Sequence, residues 1–184
     1  MEKVRKLNLG CGKDIREGYI NLDKVKLNGV DVVHDLNKFP YPFKPNYFDE
    51  VYCDNLLEHL DNLEEVMREI YRILKVGGRL IVIVPYFSQV GAFSDPTHKR
   101  FFTYYTMDYF CGLRERSDFY YDFGFKIVKK EIKFLFEYKR GVRRLLLWIV
   151  YLLPWLVYKI SPGAYVWFFS YIFPASEIYF ELEK

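Results

Sequence analysis

The stretch LNLGCGKDIREGYINLD, Leu7 to Asp23, sets two glycines, Gly10 and Gly12, around a small residue directly after an apolar run, with an acid, Asp23, closing the stretch. A glycine turn at the end of a strand lets the backbone approach a ligand closely, because glycine has no Cβ and tolerates positive φ. An acid at the end of the next strand can then accept hydrogen bonds from a ribose diol at the carboxyl edge of a parallel sheet. The dinucleotide fingerprint G-x-G-x-x-G needs a third glycine and an acid about 20 residues further on. Here Ile15 occupies the third position and Asp23 arrives early, which weakens a nicotinamide or flavin reading. Two histidines are candidates for proton transfer, since imidazole titrates near neutrality: His98 in DPTHKRFF and His59 in LLEHL, the latter equally suited to simple packing at a helix start. Tyr104 and Tyr105 suit lid packing as well as acceptor contact. Cys11, Cys53 and Cys111 lack CxxC spacing, so neither a zinc site nor a disulfide framework is indicated, and no metal is expected. Cys11 and Cys53 read as small buried residues.

The elements that must position these groups follow from periodicity. Short apolar runs separated by turn signals predict strands at RKLNLG, YINLD, VDVVHDL, FDEVYCD and GRLIVIVPY. In LDNLEEVMREIYRILKVGG, Leu63, Val66, Met67, Ile70, Ile73 and Leu74 fall on one helical face, with Asp61 as N-cap, Glu64 completing a capping box, and Gly77 and Gly78 as the stop. Continuous apolar strands such as LIVIV imply a largely parallel sheet covered by helices on both faces. After Pro85 the texture turns to an aromatic-rich loop with a short helix near Thr106 to Cys111. FKIVKKEIKFLFEYK and SEIYFELEK alternate as two strands that should pair.

Taken in order, LNLGCG, INLD, VVHDL, FDEVYCDNLLEHL and LKVGGRLIVIVP resemble the successive motifs of class I S-adenosylmethionine-dependent methyltransferases, over roughly residues 4 to 86. AFSDPTHKRFFTYYTMDYF and the terminal FPASEIYFELEK resemble a subgroup of small, type 11-like members. The resemblance implies a doubly wound, Rossmann-like α/β fold with seven mostly parallel strands, an antiparallel last strand and a helical insertion before it. It implies S-adenosyl-L-methionine as cofactor and S-adenosyl-L-homocysteine as product. Leu9, Gly10, Cys11 and Gly12 would form the loop at the methionine part, Asp23 would hold the ribose hydroxyls, and Asp35 with Leu36 would sit at the adenine. Asn55 and Leu56 would line the sulfonium end. His98, in a loop over the methyl group, would be the first candidate base and His59 the second. Asn8 stands where many relatives have an acid, its amide oxygen still able to accept from the cofactor's amino end, and the stretch from Gly12 to Tyr19 is too short for a full first helix.

Length and composition set the frame. A chain of 184 residues, 51% of them hydrophobic, suits one domain (1–184) with a lid segment at 86–120 and an apolar helical insertion at 139–174. Its 27 basic and 24 acidic residues are too balanced for an electrostatic nucleic-acid binder. Reduced cysteines and a charged start without a signal-length apolar run predict a cytoplasmic protein, with a peripheral place at the inner membrane face also considered. The insertion is broken at Pro154 and again at Ser161-Pro162; within it Leu145 to Tyr158 is uncharged, shorter than a membrane span, and preceded by Lys139, Arg140, Arg143 and Arg144. Three roles fit it: peripheral membrane contact through 139–160, closure of a hydrophobic pocket, or an oligomer contact. The acceptor expected is a small, hydrophobic or lipid-linked molecule, with oligomeric state open. The rival readings are a nicotinamide-dependent oxidoreductase and a non-catalytic membrane-associated module on a vestigial nucleotide fold.

Overall fold

A computed structural model describes residues 4–114, 121–134 and 141–184. Seven strands, β1 (Lys6–Leu9), β2 (Tyr19–Asp23), β3 (Val32–Val33), β4 (Phe48–Asp54), β5 (Leu74–Pro85), β6 (Lys126–Phe134) and β7 (Ala175–Glu183), form one sheet in the order β3-β2-β1-β4-β5-β7-β6. Pairing is parallel from β3 through β5, and β7 runs antiparallel to both β5 and β6. The expected α/β fold with an antiparallel last strand and a preceding helical insertion is therefore present. Order reverses between β1 and β4, so their carboxyl ends open a crevice where ligands of such sheets bind. Leu7, Leu9, Val51, Cys53, Leu80, Val82, Val84, Ile178, Phe180 and Leu182 alternate onto the buried face, each at most 1% exposed. Each such side chain contributes roughly 1.5–3 kcal/mol relative to exposure.

Helix α1 (Leu63–Ile73) buries Val66, Met67, Ile70 and Ile73 at helical spacing. Its N-cap is Asn62, whose side chain accepts from the Glu65 N–H at 3.3 Å, and not Asp61. The Asp61 carboxylate is instead engaged by the Lys99 ammonium. Gly77 and Gly78 do not end α1 either. The chain turns extended at Leu74 (φ −71°, ψ 141°) and continues as β5, so both glycines lie inside that strand. There they permit an irregularity in register, from Phe48 opposite Leu74 to Glu50 opposite Arg79. Gly77 takes φ +76° and donates its N–H to the Lys184 carbonyl at 2.8 Å.

Helices are fewer than a doubly wound sheet usually carries. Among the described residues, the connections β1–β2 and β2–β3 hold none, and Ile81 and Ile83 on the second face of β5 remain half-buried. A short helix α2 (Val90–Ser94) and a 3-10 turn at Thr106–Cys111 follow β5. The insertion contains helix α3 (Gly141–Ile160), which runs through Pro154 without the expected break, followed by a separate turn capped by Ser161. A proline removes one helical hydrogen bond, and tertiary packing offsets that loss here. Tyr151 and Tyr158 are buried on Phe134 of β6, Tyr151 Oη donates to the Pro174 carbonyl at 2.9 Å, and Tyr158 Oη accepts from the Ile132 N–H at 3.0 Å. The opposite side of α3 leaves Leu145, Trp148, Ile149, Leu153 and Leu156 exposed, as are Trp167, Phe168 and Ile172 beyond it. Among the described residues no helix is long and apolar enough to cross a membrane. Lys139 and Arg140 lie outside the described residues, as do the side chains of Arg143 and Arg144.

Candidate active site

The turn after β1 is fixed by the strand beside it. Gly10 and Gly12 both take positive φ, +64° and +49°. The Cys11 N–H donates to the Leu22 carbonyl at 3.0 Å, and the Gly12 N–H donates to Asp23 Oδ2 at 2.8 Å. The other Asp23 oxygen accepts from the Val25 N–H at 2.9 Å. One carboxylate thus holds the glycine turn and the turn after β2 in a single geometry, and each oxygen keeps a further lone pair. At Gly10 the φ of +64° favours glycine, and a Cβ there would lie 2.4 Å from Leu56 Cδ1, so that side-chain tip on the cavity wall would have to shift. Asn8, 2% exposed, spends its amide N–H groups inward, on the Asp14 carbonyl at 2.7 Å and on Asn21 Oδ1 at 3.0 Å. It braces the loop between β1 and β2, the role a missing helix would otherwise fill.

At the carboxyl ends of β1 to β4 lies a cavity of about 610 Å³, inside the range of roughly 300–1,000 Å³ usual for cofactor and small-molecule sites. It gathers seven of the residues singled out from sequence: Gly10, Asp23, Asp35, Leu36, Asn55, Leu56 and His59. A smaller hollow of about 260 Å³ adjoins it through Gly10 and Asn55 and is also lined by Asn8, Cys11, Asp14 and Asp54. Leu9, Gly12 and His98 line neither: Leu9 is 1% exposed in the core, Gly12 acts through its hydrogen bond to Asp23, and His98 stands behind His59. Sequence neighbours of the chosen residues complete the wall and went unnoticed, among them Lys24 beside Asp23 and both His34 and Asn37 flanking Asp35–Leu36. Adjacency to a strand-end acid was the available signal for them.

The wall around Leu36 is anchored from α1. Tyr41 Oη donates to the Leu36 carbonyl at 3.1 Å, and the Tyr41 N–H donates to Glu69 Oε2 at 2.6 Å. Burial alone would raise the Glu69 carboxyl, but hydrogen bonds from Arg72 and the Tyr41 amide outweigh it and hold the group below its ordinary range. Arg72 also reaches the Phe43 and Tyr41 carbonyls at 2.9 and 3.1 Å.

Among the described residues of the lid segment, Pro96, Thr97 and Lys99 reach the cavity, tied to the turn after β4. The Lys99 N–H donates to the Glu58 carbonyl at 2.8 Å, and Arg100 donates to the Leu60 and Asp61 carbonyls at 2.7 and 2.8 Å. Tyr104 and Tyr105 pack beside Lys130 away from the cavity, and residues 115–120 of the segment lie outside the described residues. Among the described residues, the apolar insertion contributes no lining residue. His59 faces the cavity, its ring 4.7 Å from that of His98, and both burial and the neighbouring His98 lower its pKa. Glu58, with a carboxylate oxygen within 4.8 Å of a nitrogen of each ring, is 1% exposed; burial pushes its carboxyl up to about 7, an effect that its own nearby backbone amide and then His98 partly offset. Burial likewise pushes the Cys11 and Cys53 thiols up, which leaves both as packing residues.

Comparison with known proteins agrees with this layout. A crystal structure of a SAM-dependent methyltransferase from Archaeoglobus fulgidus superposes with a TM-score of 0.64, covering 100% of this chain and 87% of that one at 19% identity. The chain has the Rossmann-like methyltransferase fold. Within that methyltransferase fold, residues 7–82 match the family model described as "Methyltransferase domain", which runs from within β1 into β5 and takes in the residues lining most of the cavity. A demethylmenaquinone methyltransferase from Listeria welshimeri is 29% identical over 142 residues, 64% of this chain and 60% of that protein. An uncharacterised protein of Methanocaldococcus jannaschii is 38% identical over 91 residues, 42% of this chain and 39% of the other. The chain thus spans between two fifths and three fifths of the length of these curated relatives.

Proposed function

We propose that the cavity binds S-adenosylmethionine and that the chain transfers its methyl group to a small acceptor, releasing S-adenosylhomocysteine. The observation that carries this reading is the convergence of Gly10, Asp23, Asp35, Leu36, Asn55 and Leu56, from the ends of four adjacent strands, on one cavity. Asp23, with lone pairs to spare on both oxygens, would hold the ribose diol, and Leu36 would pack on the adenine while Asp35 accepts from its amino group. Leu56 and the bare Gly10 would bound the sulfonium end. Asn8 and Cys11 in the adjoining hollow would face the amino acid end. The bound cofactor supplies an activated methyl; the protein's part is alignment and exclusion of water, which in favourable cases contributes roughly 7–11 kcal/mol. His59, on the cavity wall, and His98 behind it are the groups available to take a proton from an oxygen acceptor.

A hydrophobic or lipid-linked acceptor fits the exposed apolar side of α3 and its surroundings, and the relative from Listeria welshimeri is named for a demethylmenaquinone substrate. Peripheral membrane contact through 139–160 would bring the cavity to such a molecule. The absence of a third glycine at Ile15 favours the adenosyl sulfonium over a nicotinamide cofactor. Calorimetric titration with S-adenosylhomocysteine, with NAD as comparison, tests the cofactor and separates both the oxidoreductase and the non-catalytic module from this reading.

A further inference from the structure

Three electron-pair donors converge behind the cavity wall where the turn after β4 meets residues 95–98. One ligand atom each from Glu58, His59 and His98 lies within 4.8 Å of the others. Glu58 is 1% exposed, and neither of its carboxylate oxygens has a hydrogen-bond partner. A buried polar group left in that state costs free energy and calls for a physical explanation.

The two imidazoles are oriented through their Nδ1 atoms. The Ala92 carbonyl, 2.8 Å from His98 Nδ1, can only accept, so the proton of that ring sits on Nδ1. Thr97 Oγ1 donates to Asp95 Oδ1 at 2.7 Å and therefore accepts from His59 Nδ1 at 2.9 Å. In each neutral ring Nε2 is left as a lone pair. The cluster thus offers two imidazole nitrogens with free lone pairs beside the buried Glu58 carboxyl, whose proton a bound cation would displace. Such a backbone or hydroxyl acceptor on the distal nitrogen is the arrangement that fixes metal-ligating histidines.

We propose that Glu58, His59 and His98 bind a divalent transition-metal ion, the imidazoles through Nε2 and Glu58 through its carboxylate. Two nitrogen ligands with one carboxylate suit zinc or another borderline first-row ion and disfavour magnesium and calcium, which take oxygen shells. Asp95 Oδ2, 3.8 Å from His98 Nε2, is too distant for a hydrogen bond and close enough to serve as an outer or fourth ligand. Of the three ligands His59 lines the cavity, which sets the proposed ion beside its wall. Metal binding here does not depend on the cofactor reading.

Titration of chelator-treated protein with Co²⁺ near neutral pH, followed by its visible absorption, tests the site. A single saturable Co²⁺ site per chain, displaced by Zn²⁺ and indifferent to Mg²⁺, is expected, with affinity falling at least about tenfold in Glu58→Gln and His98→Ala of unchanged far-UV circular dichroism. Should either variant fail to fold, Thr97→Val removes the hydroxyl that orients His59 and holds Asp95, and must still weaken Co²⁺ binding. Absence of saturable binding by the wild-type chain, or affinity unchanged in all the folded variants, overturns the proposal.

Discussion

At the level of single residues, Gly10 is the most constrained position of the candidate site. Its φ of +64° and the 2.4 Å that a Cβ would have from Leu56 Cδ1 act together, so relief of one does not relieve the other. A left-handed non-glycine residue alone costs about 1–2 kcal/mol, and displacing Leu56 disturbs the cavity wall. Gly10→Ala is therefore expected to lose about 2 kcal/mol or more of stability and at least about tenfold in S-adenosylhomocysteine affinity. Denaturant unfolding and calorimetry check the two effects, and an alanine variant equal to wild type in both would contradict this assignment. Asp23, Asp35 and Asn55 were legible in the sequence because a strand-end residue of a parallel sheet lies at one edge whatever the rest of the chain does. Glu58 was not legible. Its significance comes from meeting His98 across a loop, and spacing along the chain carries no trace of that contact. His98 itself was placed at the methyl group by resemblance, whereas its ring stands behind His59, held by the Ala92 carbonyl.

Among elements, α1 both covers the sheet and sets the cavity wall. Glu69 on its buried side grips the Tyr41 amide, and Tyr41 in turn grips Leu36. Because the folded-state pKa of Glu69 is lowered below its ordinary value of 4.5, its contribution to stability is fully present above that pH. It is lost as pH falls from there through the lowered folded value, since the unfolded state then binds more protons. Glu69→Gln is expected to flatten the acid limb of the stability–pH curve below about pH 4.5 and to leave the slope near neutrality unchanged. Thermal melts across that range decide the matter; an acid limb as steep as wild type would rule out Glu69 as its source. Helix periodicity placed α1 correctly but not its ends, because Asn62 competes with Asp61 for the cap and the two glycines serve a strand irregularity. Pro154 misled in the same way: buried tyrosines Tyr151 and Tyr158 hold α3 together on either side of it, a tertiary effect that local propensity omits.

For the molecule as a whole, the antiparallel last strand was what the family resemblance implied, while the missing helices of the first crossovers show only as shortness of the connections. The large exposed apolar surface of α3 and the segment after it exceeds what isolated surface residues require. Sedimentation with anionic-lipid vesicles is expected to carry the wild-type chain down and to leave behind a variant with Trp148, Ile149 and Leu153 replaced by serine. Equal partitioning of both would end the membrane reading and point to covering by another protein surface. The cavity is independent of that outcome, since none of the described residues of α3 lines it. The most direct test of the account is calorimetric titration of the purified chain with S-adenosylmethionine, S-adenosylhomocysteine and NAD, beside Asp23→Ala and Asp35→Ala. Saturable binding of both adenosyl ligands, no binding of NAD, and loss or marked weakening in the two variants is the predicted result; failure of the folded wild-type chain to bind either adenosyl ligand, or binding indifferent to both carboxylates, would contradict it.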